Sequence, residues 1–154
     1  MTLEKHDELR LSHLLAPLRK DEKVKEMKKY IQHGKITTYD HVESVARVSF
    51  FINRRFNLGS DEKALVRGAF LHDFFLYDWH DKDATRDKGL HGFTHANTAL
   101  KNAKKRFDLN KREENIIDCH MWPLNITKLP RCREAWIVCF ADKYVSAKET
   151  LFCR

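Results

Sequence analysis

No segment longer than a few residues alternates apolar and polar positions; apolar residues instead recur every three or four places along most of the chain. That spacing predicts helices that each bury one face, separated by recognisable stops. Residues 3–15 form a first helical piece, which Pro17 is expected to interrupt. A second piece spans 18–33, with Gly34 placed as the left-handed residue just past its end. Thr37 or Thr38 then caps a helix reaching to about residue 57, along which Val42, Val45, Val48 and Ile52 share a face. After Leu58-Gly59, Ser60 is the next expected N-cap, with Asp61 and Glu62 in the positive first turn. That helix carries Ala64, Leu65, Ala69, Phe70, Leu71 and Phe74. The polar stretch 78–89, rich in Asp and Lys, reads as a functional loop. Beyond it a helix is expected over about 93–107. Asn110 caps the next one, with Glu113 in the capping-box position, and Pro123 stops it just past His120. Pro130 suits the first turn of a last long helix ending near residue 150. The fold class expected is all-α: a single-domain helical bundle of about six or seven helices over residues 1–154.

Composition supports this class. Five glycines and three prolines in 154 residues leave little material for the tight turns of a β protein. No apolar stretch approaches the roughly 20 residues of a membrane-spanning helix, so no membrane partner is expected. The opening MTLEKHDELRLSHLL carries acids and no long apolar run, which argues against a secretory signal and makes a cytoplasmic location the expectation. Cys119, Cys132, Cys139 and Cys153 form no CxxC pair and read as reduced, small apolar residues. The formal charge of +7 favours anionic partners, either small phosphorylated molecules or nucleic acid. The basic run from Arg19 to Lys29 is interleaved with Asp21, Glu22 and Glu26, as on an ion-paired helix surface, and nucleic acid is the less favoured partner. Oligomeric state is left open by these patterns.

The candidate chemistry lies in polar residues that fall where apolar ones are expected. Asp142 ends the apolar run Trp136-Ile137-Val138-Cys139-Phe140-Ala141. His72-Asp73 sits between Gly-Ala-Phe-Leu and Phe-Phe-Leu. His41 shares a face with Val45, Val48 and Ile52, and His120 follows Ile116 and Ile117. Each lone histidine could be a hydrogen-bonded core residue and a lone aspartate could cap a helix. A bare buried carboxylate is costly, however, and six such groups, with His95, all need partners at once. One or two divalent cations satisfy the whole set. Imidazole with carboxylate suits Fe, Mn, Zn or Co better than Mg or Ca.

The segments YDHVESVA around His41, GAFLHDFFLYD around His72 and Asp73, FTHANTAL around His95, IIDCHMWPL around His120 and WIVCFADKY around Asp142 resemble the HD-domain superfamily of metal-dependent phosphohydrolases. The resemblance covers residues 37–146, with 1–36 as N-terminal helices packing on that core. His41, His72, Asp73 and Asp142 match the minimal one-metal pattern. His95 and His120 match the extended pattern of two-metal branches, such as HD-type diadenosine tetraphosphate hydrolases. The HD-GYP cyclic dinucleotide branch is disfavoured because the Gly-Tyr-Pro motif is missing. Around 78–89 the chain departs from the tetraphosphate hydrolase pattern.

The resemblance implies that Asp73 bridges two metals and takes part in catalysis. His41, His72 and Asp142 would hold one metal, and His95 and His120 the other. His91, four residues before His95, is a second candidate catalytic group, either as ligand, phosphate contact or proton donor; a plain loop histidine is the alternative. Lys82, Arg86, Lys88, Lys128 and Arg131 are candidate phosphate contacts, and Trp122 and Trp79 could stack on a base or pack the core. His80 is expected at the surface, and His6, His13 and His33 receive no role. The expected activity is hydrolysis of a phosphate ester or anhydride of a nucleotide-like substrate. The alternatives are a one-metal 5′-nucleotidase or nucleoside triphosphate hydrolase, and a non-catalytic binding or regulatory module.

Overall fold

The computed structural model describes residues 2–78, 80, 81 and 91–152, with backbone alone for 91–93. The helices are α1 (Lys5–Lys20), α2 (Glu22–Lys25), α3 (Thr38–Arg55), α4 (Glu62–Leu71), α5 (His91–Arg106), α6 (Lys111–Cys119) and α7 (Arg133–Phe152). A 3-10 turn (Glu26–Lys29) follows α2, and strands β1 (Ile31–His33) and β2 (Ile36–Thr37) pair as an antiparallel hairpin. The fold is all-α, as the periodicity predicts; among the described residues that hairpin is the only sheet.

Local signals place several helix ends correctly. Thr37 accepts a hydrogen bond from the Asp40 amide at the start of α3, and Asn110 with Glu113 forms the expected capping box of α6. The N-cap of α4 is Asp61, not Ser60: its carboxylate accepts from Ala64 N at 3.0 Å. Helix α7 begins at Arg133, three residues beyond Pro130.

The N-terminal third differs more. Helix α1 runs through Pro17 to Lys20, because Leu11, Leu15 and Leu18 are all buried and continuing the helix keeps them on one face. Tertiary burial outweighs the one hydrogen bond that proline forfeits. The expected helix over 18–33 does not form. Asp21 caps the short α2, and the chain then turns back as the hairpin. Gly34 (φ 57°) lies in the hairpin turn, a position that needs the same left-handed backbone as a helix C′ residue. Ion pairs cover this basic surface as expected: Lys23 with Glu26, Lys25 with Glu22, and Arg106 with Asp21.

The core draws on every layer: Leu15 and Leu18 of α1, Phe50 of α3, Leu65 and Phe70 of α4, Ile116 and Ile117 of α6, and Val138 of α7. Helices α4 and α6 are in tight contact at Gly68, where an added Cβ would lie 2.5 Å from Ile116 Cδ1 and 3.0 Å from its Cβ. Gly68→Ala should therefore lower stability by about 1–3 kcal/mol through overpacking. A fall in the urea midpoint at unchanged m-value would record it; an unchanged midpoint would mean the helices separate freely there. Cys119, Cys132 and Cys139 are free thiols, and burial pushes that of Cys119 up to about 12. No helix among the described residues is long and apolar enough to cross a membrane.

Candidate metal centre

Five elements deliver the unusual polar residues to one place. His41 lies on the buried face of α3 beside Val42 and Val45. His72 is the C-cap of α4 and Asp73 follows it. His95 projects from α5, His120 is the C-cap of α6, and Asp142 lies on the buried side of α7. All six are buried, with exposures between 0% and 7%.

The helix ends solve a local problem in a way that serves the site. The last carbonyls of a helix lack intrahelical donors. His72 Nδ1 bonds back to Ala69 O at 2.6 Å, and His120 Nδ1 to Ile117 O at 2.8 Å. A carbonyl only accepts, so Nδ1 carries a proton in each ring and Nε2 is the nitrogen turned to the centre. On His41 the same work is done by Glu149, whose Oε2 lies 2.8 Å from Nδ1.

The inward-facing atoms form two groups that share Asp73. In the first, His41 Nε2 is 3.2 Å from Asp142 Oδ1 and 3.8 Å from Asp73 Oδ2. His72 Nε2 is 3.4 Å from Asp73 Oδ2 and 3.6 Å from Asp142 Oδ1. In the second, His95 and His120 each place Nε2 3.4 Å from Asp73 Oδ1, and the two nitrogens are 2.9 Å apart. Among the described residues, buried His72 Nε2 and Asp73 Oδ1 have no hydrogen-bond partner. Buried polar atoms are seldom left so, because each costs about 1–3 kcal/mol. These orphaned atoms, and two imidazole nitrogens facing each other, make a donor set that could hold a divalent metal.

Electrostatics without metal tell the same story through protons. Burial opposes the charged form of His41, but Asp142 and Glu149 outweigh it and raise its pKa to about 9. Burial opposes His72 as well, and Asp73 and Asp142 hold it well above the ordinary imidazole value. Burial also works against ionised Asp73 and Asp142. The imidazoles of His72, His120 and His95 overcome it for Asp73, and those of His41 and His72 for Asp142; both carboxyls lie well below the usual range.

Metal must displace these protons, so uptake should release protons and apparent affinity should climb with pH toward about 9. The metal-free fold should behave in the opposite sense. His41 is raised above 6.5, so its stabilisation is complete below that pH and is lost as pH passes through about 9. Thermal midpoints in chelator should fall over this window while those with Mn rise. Parallel curves would contradict the assignment.

A cavity of about 680 Å³ opens on this cluster, bounded by Asp73, His95, His120 and Asp142 on one side and by Gln32, His33 and Lys143 on another. Met121 and Leu124 add apolar surface. Lys143 Nζ donates to His120 O at 2.8 Å and lies 4.0 Å from Asp142 Oδ2. Burial and the neighbouring His41 keep the His33 pKa low. His33, Gln32, Lys143 and Glu149 lie outside the set of residues that the sequence pattern points to. Signals existed for two of them: Lys143 directly follows Asp142, and Glu149 lies two helical turns beyond it.

Other expected contacts fall elsewhere. The Lys128 ammonium is held by Asp118 and Asn97, and Arg131 borders a separate depression with Lys111 and Arg112. Neither is among the described residues lining the cavity. Trp122 packs edge-on against the half-buried Trp136 with ring centroids 4.9 Å apart, and is itself half-buried. His80 is exposed, as expected. Lys82, Arg86, Lys88, Trp79 and the His91 side chain lie outside the described residues.

A family model described as HD domain matches residues 38–147. Neither the comparison with curated proteins nor that with solved structures returns a match.

Proposed function

The chain belongs to the HD-domain family, and from that premise we propose that it is a metal-dependent phosphohydrolase of small, nucleotide-like phosphate esters or anhydrides. The observation that carries the proposal is the placement of Asp73, whose two oxygens face separate histidine groups while Oδ1 lacks a hydrogen-bond partner among the described residues. His41, His72 and Asp142 would hold one Fe, Mn, Zn or Co ion, His95 and His120 a second, with Asp73 shared. A metal so held supplies Lewis acidity, which polarises phosphoryl oxygens and lowers the pKa of water toward about 7.

The protein's own groups do the rest. The Nδ1 bonds to Ala69 O, Ile117 O and Glu149 fix the imidazoles before anything binds, so little reorganisation is needed. Lys143, on the cavity wall, would offset phosphate charge; Lys128 and Arg131 are not among the described residues that line that cavity. A cavity of about 680 Å³ falls in the range of sites that enclose a small organic ligand. Residues 1–36 and the 37–146 core act as one domain in this reading, working in the cytoplasm.

The test is elemental analysis of protein purified without added metal, followed by a phosphate-release screen with Mn, Fe and Co on mononucleotides and dinucleoside polyphosphates. The proposal expects bound transition metal and release from at least one nucleotide class. Metal-loaded protein that releases no phosphate from any of them would instead support a non-catalytic binding module.

A further inference from the structure

The hairpin that the helical periodicity does not anticipate reaches into the candidate centre. Gln32 lies outside the family-matched span 38–147, yet only 7% of it is exposed. Its Nε2 donates to Asp73 Oδ2 at 2.7 Å, across 41 residues of sequence. Its Oε1 accepts from the buried Thr38 hydroxyl at 3.2 Å. The two partners fix the amide's orientation, because a carboxylate only accepts and a hydroxyl can donate. The hairpin does not depend on this side chain. Its backbone ladder and the bond from Thr38 N to Tyr30 O (2.8 Å) close it.

A carboxylate that serves two groups of ligands must not turn about its Cβ–Cγ bond. Gln32 occupies one lone pair of Oδ2 and leaves the other facing His72. Oδ1 is thereby held toward His95 and His120. The donor is neutral, so it orients Asp73 without cancelling the negative charge that a cation needs. Lys or Arg at this position would compete with the metal.

We infer that Gln32 is a positioning residue, supplied from outside the family core, which orients the Asp73 carboxylate for metal binding. This rests on the metal-centre reading above. Partners that orient metal ligands typically contribute about 10–100-fold in affinity or activity.

Co(II) binding followed by visible absorption tests the inference. Gln32→Met keeps the length and removes the donor. It should weaken Co(II) binding by about 10–100-fold and shift the ligand-field bands, because Asp73 presents itself differently. The thermal midpoint in chelator reports folding separately. Thr38→Val removes the hydroxyl that donates to the amide and to Tyr30 O (3.3 Å), while the bond from Thr38 N to Tyr30 O stays, and it should weaken Co(II) in the same direction by less. Wild-type affinity and bands in folded Gln32→Met overturn the inference. If Gln32→Met does not fold, wild-type affinity in folded Thr38→Val overturns it equally. Failure of the wild-type protein to bind Co(II) would overturn the metal-centre reading itself, whereas equal binding by wild type and variants removes Gln32 alone.

Discussion

Asp73→Ala is expected to abolish metal binding and phosphate release together. The residue is 2% exposed and lies within 3.8 Å of Nε2 atoms from His41, His72, His95 and His120. With it removed, the imidazoles of both groups lose their common negative charge. Breaking a buried charged set by deleting one partner costs about 3–5 kcal/mol, which corresponds to hundreds- to thousands-fold in affinity. The metal-free variant should also keep its imidazoles neutral to lower pH, since Asp73 is the largest charge raising His72. Equilibrium dialysis with Mn and a phosphate-release assay read both effects. Normal turnover in this variant would remove the proposed site.

The second large effect separates the two-metal reading from its one-metal rival. Replacing His95 and His120 together by Ala should lower the bound metal by one equivalent and leave the group of His41, His72, Asp73 and Asp142 loaded. Those four keep their support: Glu149 on His41, Ala69 O on His72, Gln32 on Asp73 and Ser146 on Asp142 lie outside the altered positions. Turnover should fall by about a hundredfold or more, because electrostatic stabilisation from a metal is worth several kcal/mol. An unchanged metal count with unchanged turnover would favour the one-metal nucleotidase or triphosphatase.

The parts of this site visible in the sequence are those where chemistry conflicts with local hydrophobicity. Asp142 after Trp136-Ile137-Val138-Cys139-Phe140-Ala141, and His72-Asp73 between apolar runs, are polar residues in segments that must be buried. Asn110 was legible because a capping box closes within four residues of chain. What was hidden depends on distant contacts or shared signals. Gly34 serves a hairpin turn and a helix C-terminus equally well, so the pattern before it is that of a helix and gives no sign that Gln32 and His33 reach the centre. Pro17 stops a helix only when nothing beyond it needs burial, and Leu18 does. Charge in a loop carries no direction: Lys128 had the right chemistry for phosphate, yet Asp118 and Asn97 hold it. Lys143 belonged to a motif already singled out, but the cavity it borders arises only when α6 and α7 come together with the hairpin.

Anomalous diffraction from crystals of the Mn-loaded protein, recorded near the Mn absorption edge, would locate the bound ions. One peak should be enclosed by His41, His72, Asp73 and Asp142, and a second should lie against Asp73, His95 and His120. Density with no anomalous peak at either place, or a peak only on surface carboxylates such as Asp40 or Asp118, would contradict this metal centre.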